Sequence, residues 1–100
     1  MLIIAGKITV DPDQRADMLE AVRFMVEASR AEDGCHEYVF TLDPHDPGLV
    51  RLFELWESEE ALAAHFASDH MAEWQKVAAG LAIRGRDITR YTIAESGPLG

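Results

Sequence analysis

The chain of 100 residues carries nine Lys and Arg against eighteen Asp and Glu, a formal net charge of −9, with 48% hydrophobic residues. That length bounds a single domain with one core, and acidic charge spread along the whole chain excludes the basic patch that nucleic acid or an anionic membrane surface demands. No run of about 18 apolar residues occurs, so no segment is expected to span a membrane; the lone cysteine, Cys35, allows neither an internal disulfide nor a Cys-based zinc site and fits a reducing, cytoplasmic compartment.

The opening MLIIAGKITV lacks the basic stretch and small-residue cleavage site of a secretory leader. It alternates instead, with Leu2, Ile4, Ile8 and Val10 on one face and Lys7 and Thr9 on the other, which predicts a half-buried strand. Asp11-Pro12 opens a helix, Asp as cap and Pro at the first helical position. Met18, Ala21, Val22, Met25, Ala28 and Ser29 then recur at spacings of three and four, an amphipathic stripe that runs to about Ala31. Gly34 ends the turn that follows.

Cys35 to Asp43 predicts a second strand, with His36, Tyr38, Phe40 and Leu42 on one face and Cys35, Val39 and Thr41 on the other. DPHDPG, residues 43–48, is a loop, because its two prolines leave no ladder to join. Leu49 to Trp56 is a third strand, apolar on both faces: Leu52 and Trp56 on one, Phe53 and Leu55 on the other. Such a strand needs cover on each side. The helix supplies one cover, and a second copy of the chain, packed on Val39, Phe53 and Leu55, is expected to supply the other.

Ser58 caps a second helix whose first turn holds Glu59 and Glu60, where the helix dipole favours acids. Ala61, Leu62, His65 and Phe66 form its apolar side, Ser68-Asp69 interrupts and caps afresh, and Met71, Trp74, Val77, Ala78 and Leu81 continue the stripe. Asp87 to Glu95 predicts the last strand, and SGPLG, residues 96–100, a frayed tail. The order strand, helix, strand, strand, helix, strand is that of a ferredoxin-like βαββαβ domain of the α+β class. It fills residues 1–100 and places a four-stranded antiparallel sheet under helices on one face.

Chemically suggestive residues gather between Phe53 and Trp74. A histidine titrates near neutrality, so His65 among Ala61, Leu62 and Phe66 serves either as a general base or as a core residue with both nitrogens satisfied. His70 opens the segment after Ser68-Asp69, where a helix N-terminus disfavours imidazolium; it binds a substrate oxygen or merely faces solvent. Glu54, between Leu52 and Trp56, marks a site or is paired with Arg51, Arg90 or a helix histidine. Trp56 and Trp74 serve as core or interface anchors or, for Trp74, as the wall of an aromatic pocket that Tyr38 also faces. His65, His70 and Glu73 lie close in sequence, yet only His70 and Glu73 share a helical face, and no metal is expected. No phosphate loop, dinucleotide fingerprint or nucleophile elbow is present.

The pattern E-x-W-E-S-x-E-A-L-x-x-H-x-x-S-x-H from Glu54 to His70, with Glu-Asp-Gly-Cys-x-x-Tyr from Glu32 to Tyr38, resembles the antibiotic biosynthesis monooxygenase family, and small bacterial quinol monooxygenases within it. The resemblance covers nearly the whole chain. It implies a dimeric α+β barrel in which two such sheets pack face to face, and a pocket between each sheet and its helices. It also implies oxidation of a quinol or phenolic aromatic by dioxygen without metal, flavin or haem. A base removes a phenolic proton, the electron-rich anion reduces dioxygen, and the radical pair recombines on a ring carbon. Carried onto this chain, His65 and His70 take the catalytic positions, and Tyr38, Glu54, Trp56, Phe66 and Trp74 the substrate-binding ones. Haem-degrading relatives use an asparagine on strand one and a tryptophan and a histidine on helix two. Lys7, His65 and Gln75 stand in the corresponding places here, a departure that speaks against haem degradation. Other relatives isomerise small metabolites or have no demonstrated activity, so an acid–base isomerase and a non-catalytic, stress-associated binding dimer remain as alternatives.

Overall fold

Strand β1 (Leu2–Val10) is the centre of the sheet. It pairs antiparallel with β3 (Leu49–Trp56) on one side and with β4 (Ile83–Thr92) on the other, and β2 (Cys35–Leu42) pairs with the outer edge of β3. The order is therefore β2-β3-β1-β4, as the ferredoxin-like arrangement requires. The computed structural model describes all 100 residues, Met1–Gly100. One sheet face carries Leu2, Ile4, Ile8 and Val10 of β1, Tyr38 of β2, and Val50, Leu52, Glu54 and Trp56 of β3, all buried beneath the helices. The period-two pattern of the first strand is thus the pattern of burial.

Helix α1 (Arg15–Arg30) buries Met18, Val22, Met25 and Ser29, one residue from each successive turn, against this face. Its entry differs from the single helix expected from Asp11. Pro12–Gln14 forms one 3-10 turn, with the Asp11 side chain accepting from Asp13 N–H, and α-helical geometry begins only at Arg15. Helix α2 (Glu59–Phe66) starts where Ser58 Oγ accepts from Ala61 N–H, and α3 (Asp69–Ala79) where Ser68 Oγ accepts from Met71 N–H. Two serine caps, Ser58 and Ser68, make two short helices out of one stripe. No helix is long and apolar enough to cross a membrane.

Two strand expectations are corrected. β4 begins at Ile83, not Asp87, and ends at Thr92, not Glu95, because a register shift opposite Thr9 and Val10 takes in Gly85 and lets the strand follow β1 to its end. In β2 a second irregularity between Cys35 and Glu37 lifts His36 off the ladder: Cys35 pairs opposite Trp56 and Glu37 opposite Leu55. Cys35 therefore packs against the core, where alternation had put it on the far face, while His36 meets Glu57 at the surface.

The opposite sheet face has no helix. It presents Ala5, Val39 and Phe53, with Phe53 and Tyr91 counted among the exposed large apolar side chains of the molecule.

Gly6 sits at the closest approach of β1 and β4. A β-carbon there would lie 2.1 Å from the Asp87 carbonyl oxygen and 2.7 Å from Ile88 Cα, backbone atoms that cannot swing aside. Gly6→Ala is expected to cost about 1–3 kcal/mol, the range for forced overpacking. Equilibrium urea unfolding checks this, and an unchanged midpoint would mean that the two strands separate freely.

Candidate active site

The site begins at a turn. Gly34 follows α1 with φ 84°, the left-handed region that glycine enters without penalty, and its carbonyl accepts from Glu57 N–H at 2.8 Å. A β-carbon on Gly34 would stand 2.7 Å from Ala61 Cβ, so the turn is packed directly beneath α2. Glu32, two residues earlier, is thereby brought to the C-terminal end of α2. There its Oε2 lies 2.6 Å from His65 Nδ1 and 3.3 Å from His70 Nε2.

His65 is 1% exposed and its ring is held on several sides. The Trp56 ring centroid is 4.6 Å away and that of Tyr38 5.5 Å. A carboxylate only accepts, so the nitrogen facing Glu32 carries the proton; Nε2 is then the lone-pair nitrogen, and it is buried with no protein partner. Burial holds the imidazole below its ordinary pKa, with the Glu32 hydrogen bond and charge pulling the other way. The result is a neutral ring with a free basic nitrogen.

Beside it, between the sheet and the α2–α3 pair, is a cavity of about 600 Å³. Its floor is Ile4, Ile8, Tyr38, Phe40, Leu52, Glu54 and Ile88, and its roof is His65, Phe66, Met71, Trp74, Ala78 and Ala79; Gln75 and Arg86 complete the lining. The cavity exists because α3 packs chiefly on α1 and stands away from the strands below it. A mostly apolar hollow of this size with a few convergent polar groups fits a small aromatic molecule.

Glu54 is 7% exposed, and its Oε1 accepts from Trp56 Nε1–H at 2.9 Å. None of its expected partners reaches it: Arg51 bonds Asp43, and Arg90 approaches Glu59 at 4.0 Å. Burial, against the opposing Trp56 hydrogen bond, pushes this carboxyl up to about 7. Burial and then the nearby Glu54 also hold the Tyr38 hydroxyl well above its usual range, so it stays protonated. Cys35, beneath the same turn, is pushed up to about 11 by burial first and by Glu32 next.

Of the residues singled out in the sequence, His65, Tyr38, Glu54, Phe66 and Trp74 line the cavity. Two do not. Trp56 is fully buried behind His65 and Glu54 and acts through them, and His70 faces Glu32 outside the lining. Phe66, expected on the inner side of α2, is 59% exposed and stands at the rim, because the helix ends there. Glu73 is exposed on α3, away from both histidines' shared partner; Glu32 occupies the place that proximity in sequence had suggested for it. Glu32 was missed as a site residue because 33 positions separate it from His65. The available signal was an acid beside the Gly34 turn and two histidines in need of an acceptor.

Comparison with known proteins places this geometry among relatives. The family model described as antibiotic biosynthesis monooxygenase matches residues 1–77. The Synechocystis protein sll1783, whose name records it as uncharacterized, is 31% identical over 95% of this chain and 65% of its own length. The chain thus spans about two thirds of the first curated relatives it matches. The structure of Rv0793 from Mycobacterium tuberculosis superposes with a TM-score of 0.85 at 26% identity, covering 97% of this chain and 98% of that one. A Deinococcus radiodurans structure, provisionally named as an antibiotic biosynthesis monooxygenase, gives a TM-score of 0.90 at 24% identity over 100% and 99% of the two chains, which shows the common fold.

The Glu54 environment has a consequence for stability. A carboxyl whose folded pKa lies above its unfolded value stabilises fully below the unfolded value, and that contribution is lost as pH rises through the folded one. Wild type is therefore expected to lose about 3 kcal/mol relative to Glu54→Gln as pH climbs from 4.5 to about 7. Urea unfolding of both proteins at about pH 5 and about pH 8 measures it. Parallel stabilities would show Glu54 ionising as readily as in solvent.

Proposed function

The chain belongs to the antibiotic biosynthesis monooxygenase family, and from that premise we propose that it oxidises a quinol or phenolic aromatic with dioxygen in the cavity beside His65, with no resident cofactor. The observation that carries the reading is the Glu32–His65 pair: an acid fixes the ring through Nδ1 at 2.6 Å and leaves a neutral, buried, unpartnered Nε2 beside an aromatic-lined hollow. His65 Nε2 takes the phenolic proton. The substrate anion then passes one electron to dioxygen, and the resulting radical pair joins at a ring carbon as a peroxide, which takes back the proton from His65 and loses water to leave one oxygen on the ring. The electrons come from the substrate, so the protein's part is to generate the anion, hold its ring against groups such as Phe40 and Trp74, and exclude water. The protonated Tyr38 hydroxyl and the Glu54 carboxyl, poised near neutrality, supply hydrogen-bond donors for developing negative charge. His70, whose Nε2 stands 3.3 Å from the same Glu32, flanks that acid, and Trp56 serves the mechanism by backing His65 and Glu54.

One observation favours a second reading. Glu54 at about 7 and a neutral His65 make an acid and a base in a single cavity, the equipment for isomerising a small metabolite without oxygen. Oxygen uptake separates the two. With reduced naphthoquinols and phenols as substrates, wild type is expected to consume oxygen well above their autoxidation, and His65→Ala to lose roughly 10²–10⁴-fold of that rate, the usual contribution of a positioned general base. No enhancement over autoxidation in wild type would remove the oxygenase reading, and an unchanged rate in the variant would remove His65 from the chemistry.

The same proposal includes a homodimer built on the helix-free sheet face, where Phe53 and Tyr91 stand open beside Ala5 and Val39. Sedimentation at micromolar concentration is expected to give twice the chain's 11.1 kDa; a monomer there would sink it.

A further inference from the structure

The contacts that fix His65 also gather three metal-ligating atoms. Glu32 Oε2, His65 Nδ1 and His70 Nε2 lie within 4.8 Å of one another. They come from three separate elements: the turn after α1, the last turn of α2 and the first turn of α3. A carboxylate shared by two imidazoles is commonly no more than a hydrogen-bond network. One detail argues against that here. His70 Nε2 is buried without an acceptable hydrogen-bond partner although Glu32 Oε2 stands 3.3 Å away. The distance suits something else: two ligands of a tetrahedral zinc ion, with bonds of about 2.0–2.1 Å, are about 3.3 Å apart. The His65–Glu32 separation of 2.6 Å would open by about 0.7 Å as the ion replaced the proton between them.

We propose that Glu32, His65 and His70 form a binding site for a late first-row divalent cation such as Zn2+ or Co2+. Two imidazole nitrogens and one carboxylate oxygen select such ions over Mg2+ and Ca2+, which take all-oxygen shells. Three protein ligands leave a fourth position for water or a small anion. The surroundings support the charge, since the chain is acidic overall and Glu54 is near enough to Glu32 to feel its field. The ion would hold His65 by Nδ1, the side opposite the nitrogen offered to the cavity. The site shares Glu32 and His65 with the proposed oxidation, but it is argued from this geometry and not from that reaction.

Co2+ titration of the tag-free, metal-stripped full chain tests it. Visible absorption of nitrogen- and oxygen-ligated Co2+ is expected to saturate at one ion per chain and to be displaced by Zn2+. Affinity is expected to fall at least about tenfold in His70→Ala and in Glu32→Gln, and to be unchanged in His36→Ala, which removes a surface histidine. Because a ligand substitution can also unsettle the fold, paramagnetic shifts in the wild-type spectrum give a check free of variants: His65 and His70 must move, and His36 and His45 must not. Failure of wild type to develop the band with Co2+ in large excess, equal affinity in well-folded variants, or shifts confined to the surface histidines would each overturn the site.

Discussion

The arrangement hangs on a single buried hydrogen bond, from His65 Nδ1–H to Glu32. It ties the end of α1 to the end of α2 across 33 residues of sequence, through a turn that only the left-handed Gly34 permits beneath Ala61. Remove the acid and the ring would lose both its tautomer and its orientation; remove the ring and Glu32 would stand partly buried beside only His70. A charged hydrogen bond in this setting contributes more than a surface pair, because little water competes for either partner. The aromatic rings of Trp56 and Tyr38 then leave the imidazole little rotational freedom.

The hollow above the sheet follows from capping. Ser58 and Ser68 each satisfy an N–H of a new helix start, so one amphipathic stripe becomes α2 and α3 with a change of direction between them. α2 lays Leu62 and His65 on the sheet, whereas α3 leans on α1 and leaves Met71 and Trp74 overhanging empty space. Into that space the sheet contributes a carboxyl bound only to the Trp56 indole. An acid so placed opposes stability at neutral pH, because burial penalises its charged form.

Much of this was legible in the sequence. The alternation of Leu2, Ile4, Ile8 and Val10, the Asp11-Pro12 opening and the double serine cap are local signals, and local hydrogen bonding decided them. What escaped was non-local. The bulge at His36 depends on how β2 meets Trp56 across the sheet, and alternation within one strand cannot reveal it. The early start of β4 depends on β1 offering a partner beyond Gly85. Trp56, an anchor by its residue type and a substrate-binding position by resemblance, is core, because the interior fills before the cavity begins. Glu32 belongs to the same class: its role comes from a turn geometry and a helix end that meet only in the folded chain.

The register slip at His36 has a chemical corollary for the chain's one sulfur. By turning Cys35 inward, toward Trp56 and beneath Glu32, the fold keeps its thiol up to about 11. At neutral pH only about one molecule in ten thousand then carries the thiolate, the species that peroxide, disulfides and electrophiles attack. A side chain a few residues from a pocket proposed to handle reduced oxygen is thereby made slow to enter the sulfenic-to-sulfonic series. The irregularity that spoils the strand's alternation thus also keeps the chain's one thiol in its protonated form.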